Sequence, residues 1–221
     1  MRIGFLHTAA VHADTFERLV AQTDATVETV TIVDGSLLDD ARVHGPESDE
    51  VRAGINEAVD RLVDSEVRTI VCTCSTISGQ AELEGAARSI NVMRVDRPMA
   101  EVAVAAGRRI TVLVALESTV GPTTELIAEV AASRRAEVDM VVRRCDGAWE
   151  RFEEGDRDGY LAFVAAECDA VADASDVIVL AQASMAPAAE LCATLVRVVS
   201  SPQLAVDAAM KAERLLSDGR G

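Results

Sequence analysis

The sequence predicts an α/β protein made of two similar units, each a parallel sheet with helices on its faces. Two observations predict this. Short apolar, β-branched runs alternate with helix-period segments along the whole chain, as a parallel sheet with helical crossovers requires. One design also occurs twice, as Thr69-Ile70-Val71-Cys72-Thr73-Cys74-Ser75-Thr76-Ile77-Ser78-Gly79 and as Val177-Ile178-Val179-Leu180-Ala181-Gln182-Ala183-Ser184-Met185-Ala186-Pro187. At one constant offset (178 − 70 = 108 and 182 − 74 = 108), Ile70/Ile178, Val71/Val179, Ala81/Ala189, Glu82/Glu190 and Leu83/Leu191 are identical. The distance from the first strand of each copy to its turn is also nearly equal (74 − 3 = 71 and 182 − 110 = 72). The expected units are therefore 1–97, completed by a C-terminal helix within 203–221, and 98–202. A single continuous sheet is the alternative that strand and helix order alone allows.

Taken in order, Arg2 to His7 is mostly apolar and reads as a buried parallel strand. A helix follows from about Asp14 to Gln22, with Phe16, Leu19 and Val20 on one face. Thr26 to Val33 alternates with period two and is a strand. Asp34-Gly35-Ser36 is a turn, and Leu37 to Pro46 reads as an irregular polar loop. Ser48-Asp49-Glu50 opens a helix whose apolar positions are Val51, Ile55, Ala58, Val59, Leu62 and Val63. Val67 to Thr73 is a strand that delivers Cys74, Gly79 to Ser89 a helix, and Ile90 to Val95 a strand, after which Asp96-Arg97-Pro98 reads as a break. The cycle restarts with the strand Arg109 to Ala115, a helix from Thr123 to about Ser133 and a strand from Ala136 to Arg143. A mixed segment leads to a helix ending near Ala174. The strand Asp176 to Ala181 delivers Gln182, and a helix after Pro187, a strand from Leu195 to Val199 and a last helix from Gln203 to Leu216 complete the set. The result is two Rossmann-like or flavodoxin-like units, related by pseudo-twofold symmetry. Ligands of open parallel sheets bind outside the carboxyl ends of the strands, so the expected site is a cleft between the units.

Composition narrows the function classes. The chain has 221 residues, 49% hydrophobic, with a formal net charge of −16 and a single lysine, Lys211. Such a charge repels polyanions, and no basic stripe interleaved with aromatics is visible, so nucleic acid is not an expected partner. No apolar run is long enough to span a membrane, and no signal peptide is read at the N-terminus. Five scattered cysteines do not suggest a disulfide framework, which points to the cytoplasm. No Gly-x-Gly-x-x-Gly follows a strand and no second Cys pair or His cluster accompanies Cys72 and Cys74. No cofactor or metal is expected.

The chemistry concentrates at the strand-end turns. Cys74 stands where a strand passes into a helix, where the dipole and unpaired amides stabilise a thiolate, making the thiol a usable base or nucleophile. Cys72, Cys145, Cys168 and Cys192 read as packing residues. His7-Thr8 and Ser118-Thr119 end two other strands and offer hydrogen-bond donors for a carboxylate, although Ser and Thr are common at turns for local reasons.

These residues resemble the aspartate/glutamate racemase superfamily. Cys74-Ser75-Thr76 looks like its first Cys-Asn-Thr motif, and Val179-Leu180-Ala181-Gln182-Ala183-Ser184-Met185 is similar to its second motif, in the hydantoin racemase form Val-Leu-Gly-Cys-Ala-Gly-Met. Ala115-Leu116-Glu117-Ser118-Thr119 is similar to the segment that contacts the substrate carboxylate. The resemblance covers the whole chain. It implies a cofactor-independent isomerase with Cys74 as its catalytic residue. Substrate binding then falls to His7, Thr8, Ser75, Thr76, Ser118, Thr119, Gln182, Ala183 and Ser184, and the partner is a small carboxylate. A homo-oligomer, most simply a dimer, is compatible with it. Such racemases flank Cα with two cysteines, one removing a proton and the other returning one. Here Gln182 stands in place of the second cysteine, His7-Thr8 in place of Asp-Ser, and Leu116 in place of Thr. One-cysteine decarboxylation, cis–trans isomerisation through a covalent Cys74 adduct, and carboxylate binding without catalysis are the alternatives within the resemblance.

Overall fold

The computed structural model describes residues 1–217; residues 218–221, the end of the expected C-terminal helix, lie outside the described residues. The chain divides into two compact units, Met1–Val95 together with the chain from Pro202 onward, and Asp96–Ser201. Each holds its own four-stranded parallel sheet, which decides between two sheets and one continuous sheet.

The first unit runs β1 (Arg2–His7), α1 (Val11–Thr23), β2 (Glu28–Val33), α2 (Ser36–His44), α3 (Asp49–Asp64), β3 (Thr69–Cys72), α4 (Ser75–Ala87) and β4 (Asn91–Arg94), and α9 (Ser201–Ser217) closes it. Its strand order is β2-β1-β3-β4. Alternation divides the strand side chains between the two faces. Leu6, Ile32, Ile70 and Cys72 pack with Leu37, Ile55, Val59, Leu62 and Ile77 of α2, α3 and α4. Ile3, Phe5 and Val71 pack with Phe16 and Val20 of α1 and with Ala205, Val206, Ala209 and Met210 of α9. Burial of each large side chain contributes about 1.5–3 kcal/mol. Glu213 of α9 is buried and bonds Thr69 Oγ1 (3.0 Å) and Arg68 Nε (3.1 Å), tying the helix to the start of β3.

The second unit runs α5 (Arg97–Ala106), β5 (Arg109–Val114), α6 (Val120–Arg134), β6 (Asp139–Arg144), α7 (Ala148–Glu153), α8 (Arg157–Val171), β7 (Val177–Leu180), a 3-10 segment (Ala183–Glu190) and β8 (Arg197–Ser200). Its order, β6-β5-β7-β8, repeats that of the first. Leu113, Ile178 and Leu180 pack with Tyr160, Leu161, Val164 and Cys168 of α8, while α5 lies against β7 and β8 beside α6.

Three segments depart from the sequence reading. The expected loop at 37–46 is mostly helix α2, anchored by Leu37 and Ala41, which are buried one turn apart. Arg97-Pro98 does not break the chain but starts α5, since proline costs nothing in a first helical turn, where the missing N–H has no partner to lose. The expected helix after Pro187 is absent. The segment stays in 3-10 form through Pro187, and the amides of Ala193 and Thr194 beyond it are held by the Asp169 carboxylate. Among the described residues no helix is long and apolar enough to cross a membrane.

Candidate functional site

The strand order creates one switch point in each unit. In the first, the chain leaves β1 for β2 on one side and returns for β3 on the other, so the carboxyl ends of β1 and β3 flank a point where the following loops diverge. In the second the same place lies between β5 and β7. The residues singled out in the sequence fall at these ends: His7 and Thr8 after β1, Cys74-Ser75-Thr76 after β3, Ser118-Thr119 after β5, and Gln182-Ala183-Ser184 after β7.

At the first switch point, Cys74 is the N-cap residue of α4, in extended conformation (φ −96°, ψ 111°) and partly exposed. Its carbonyl accepts from Ser78 N at 2.9 Å and Ile77 N at 3.2 Å. Ser75 and Thr76 open the helix, so their amides have no intrahelical acceptor and face the region that a bound anion would occupy. Both side chains are half-buried. The other thiols differ. Cys72, Cys145 and Cys168 are buried, and Cys192 donates to Ala188 O at 3.2 Å. Desolvation pushes Cys145 up to about 12 and raises Cys168 and Cys192 as well.

His7 ends β1 with no exposed surface. Its ring stacks on Phe5 (5.8 Å) and lies 5.7 Å from Phe16. Nδ1 shares a hydrogen with Thr73 Oγ1 at 2.6 Å, which is 3.3 Å from Leu6 O, and Nε2 is buried without a partner. Burial, reinforced by His12, lowers its pKa to about 4, so the imidazole is neutral near pH 7. A buried neutral ring suits hydrogen bonding better than proton delivery. Thr8 follows in a half-buried bend.

The second switch point is built differently. Gln182 holds the backbone position that Cys74 holds in the first unit (φ −118°, ψ 137°), but its Oε1 accepts the amide N–H of Ala115 at 2.6 Å. The side chain thus bridges the ends of β7 and β5, and its Nε2 has no acceptor among the described residues. Ala183 is half-buried, and Ser184 Oγ is 2.8 Å from the phenol oxygen of Tyr160, which burial pushes up to about 12. Ser118 is exposed, whereas Thr119 is buried and occupies the N-cap position of α6 without a capping bond from its side chain. Thr73, Ala115 and Tyr160, which orient the named residues, had no signal in the sequence, because each acts through a contact between distant segments. No group of three His, Cys, Asp or Glu residues that would hold a metal occurs among the described residues.

No protein-family model and no curated protein sequence matches the chain. Solved structures do. Aspartate racemase of Picrophilus torridus superposes with a TM-score of 0.71 at 17% identity, over 96% of this chain and 93% of that one. The glutamate racemase isoform RacE1 of Bacillus anthracis gives 0.67 at 19% identity, over 99% and 82%. A variant of arylmalonate decarboxylase in a sulfate-associated form gives 0.59 at 16% identity, over 96% and 92%. The chain has the fold of these amino-acid racemases and of the decarboxylase.

Proposed function

We propose that the chain is an enzyme of the racemase/isomerase kind in the aspartate/glutamate racemase superfamily. In this reading it works without a cofactor, and Cys74 moves the proton at Cα of an amino acid or related small carboxylate. The observation that carries this is the setting of Cys74: a partly exposed thiol at the N-cap position of α4, at the β1/β3 switch point. As thiolate it removes the α-proton, and the thiol so formed returns a proton to Cα. The charge that develops on the carboxylate is held by the amides and hydroxyls of Ser75 and Thr76, which is general base catalysis with oriented donors. Thr8, Ser118, Thr119, Ala183 and Ser184 are assigned to substrate binding. His7, fully buried, acts on the site from behind as a neutral ring bonded to Thr73, the residue before Cys74. Gln182 contributes Nε2 as a donor and has no acid or base role, since an amide does not titrate near neutral pH. The chain's net charge of −16 makes such local donors necessary for an anionic substrate.

A second reading is favoured by Gln182 in particular. With one thiol at these turns, a malonate that loses CO₂ supplies its own carbanion, and Cys74 need only protonate it. Incubation of the full chain in D₂O with a panel of amino acids and small carboxylates separates the two. Deuterium entering at Cα supports the first reading, and its entry without racemisation fits Cys74 acting alone. CO₂ release from malonates without exchange replaces the first reading by the second. Neither signal across the panel removes the enzyme reading and leaves a carboxylate binder.

A further inference from the structure

Four strands lie at sheet edges, β2, β4, β6 and β8. β4 and β8 are only four residues long. β2 has six, but α1 and α3 both pack on it. β6 differs from all three. It runs six residues, Asp139–Arg144, with only Met140 partly buried and with Val141 60% and Val142 39% exposed. Among the described residues no helix covers it comparably. Parallel strands are ordinarily covered on both faces, and an open edge with free backbone groups is a template for another strand. β6 carries no proline, glycine or bulge, and its register with β5 is unbroken from Arg109↔Asp139 to Val114↔Arg144.

Backbone geometry fixes which groups are free. The amides of Asp139 and Cys145 donate to Arg108 O and Val114 O, so Asp139, Val141 and Arg143 turn their backbone groups toward β5. Met140, Val142 and Arg144 therefore turn theirs to the open edge. We infer that this edge pairs antiparallel with the same edge of a second copy of the chain, centred on Val141. A twofold axis through the extended sheet keeps each side chain on its own face, so only residues of the same face stand opposite each other. Centred on Val141, the pairing sets Val141 against Val141 of the second copy. Met140 then stands against Val142 twice, with both exchanging backbone hydrogen bonds, and Asp139 stands against Arg143 twice. Apolar side chains meet apolar ones, and opposite charges meet at both ends. Centring on Val142 instead would set Met140 against Arg144 and Val141 against Arg143, leaving valine and methionine facing guanidinium groups. This self-complementarity selects a second copy as the occupant. Asp139 already pairs with Arg108 and Arg143 with Glu167, both at exposed sites, so the cross-copy pairs extend existing networks. The inference stands on the second unit's geometry and is independent of the proposed activity.

Sedimentation equilibrium of the full chain tests it, the expected particle having twice the 23.4 kDa chain mass. Arg143→Asp sets like charges opposite Asp139 and weakens association by about tenfold or more; Asp139→Arg does the same, and the double exchange restores it. Register is read by crosslinking. Val141→Cys faces itself across a non-hydrogen-bonded pair with Cα atoms about 4.5 Å apart, inside disulfide range. It gives a covalent dimer on mild oxidation, whereas Val142→Cys, facing Met140, does not. A monomeric wild type overturns the inference. So does a dimer indifferent to both charge reversals, or one crosslinked equally well through either cysteine.

Discussion

Gln182 Oε1 accepts the backbone N–H of Ala115 at 2.6 Å, and this bond closes the end of β7 onto the end of β5. In the first unit the equivalent backbone position carries a thiol with no such tie. Gln182→Cys removes the bond and leaves the Ala115 amide without its acceptor, at a cost of about 1 kcal/mol in urea denaturation. Gln182→Glu keeps an acceptor for Ala115 and loses both Nε2 donors. Its stability stays near wild type, while binding of a carboxylate, read as KM, weakens.

The thiols give a second test. Brief alkylation followed by peptide mass spectrometry marks Cys74 first, because it is partly exposed at a helix N-terminus. Cys192 follows more slowly, since its thiol donates to Ala188 O and burial raises its pKa. Cys72, Cys145 and Cys168 stay unmodified until the chain unfolds.

Acid destabilises the first unit through His7. Its folded pKa of about 4 lies below the ordinary 6.5, so between these values the unfolded chain binds the proton that the folded chain refuses. Stability is full above about pH 6.5, falls as pH drops toward 4 and then levels, with up to about 3 kcal/mol from this group. His12, also lowered by burial, adds in the same direction. Thermal midpoints measured from pH 7 to pH 4 fall more steeply in the wild type than in His7→Gln.

Glu213 holds α9 to β3 from a buried position. Glu213→Ala leaves Thr69 Oγ1 without its acceptor and takes the carboxylate from Arg68, which keeps its bond to Ser217 Oγ. The expected loss is about 1–3 kcal/mol in chemical denaturation.

Much of this architecture was legible in the residues. Ile70 and Ile178 occupy equivalent places in β3 and β7, and the same strand order surrounds each, so the repeat at constant offset marks matching strands of two similar sheets. The copies part after the turn. Ala81-Glu82-Leu83 is α-helical, whereas Ala189-Glu190 ends a 3-10 segment and Leu191 follows it, because Pro187 and the Asp169 carboxylate hold that backbone otherwise. Helix α2 was missed because only Leu37 and Ala41 mark its buried side, and α5 because a proline at a helix start looks, in sequence, like a break. At the sites, the positions could be named, but not what they do there. His7 as a buried neutral ring and Gln182 as a clamp on Ala115 both depend on partners about 66 residues away in the chain.

Deuterium exchange at Cα, compared between the wild type and Cys74→Ala, tests the central claim most directly. The account predicts that exchange into the wild type's substrate falls by about 10²-fold or more in Cys74→Ala, with an unchanged circular dichroism spectrum. Exchange at the wild-type rate in a folded Cys74→Ala variant would contradict it.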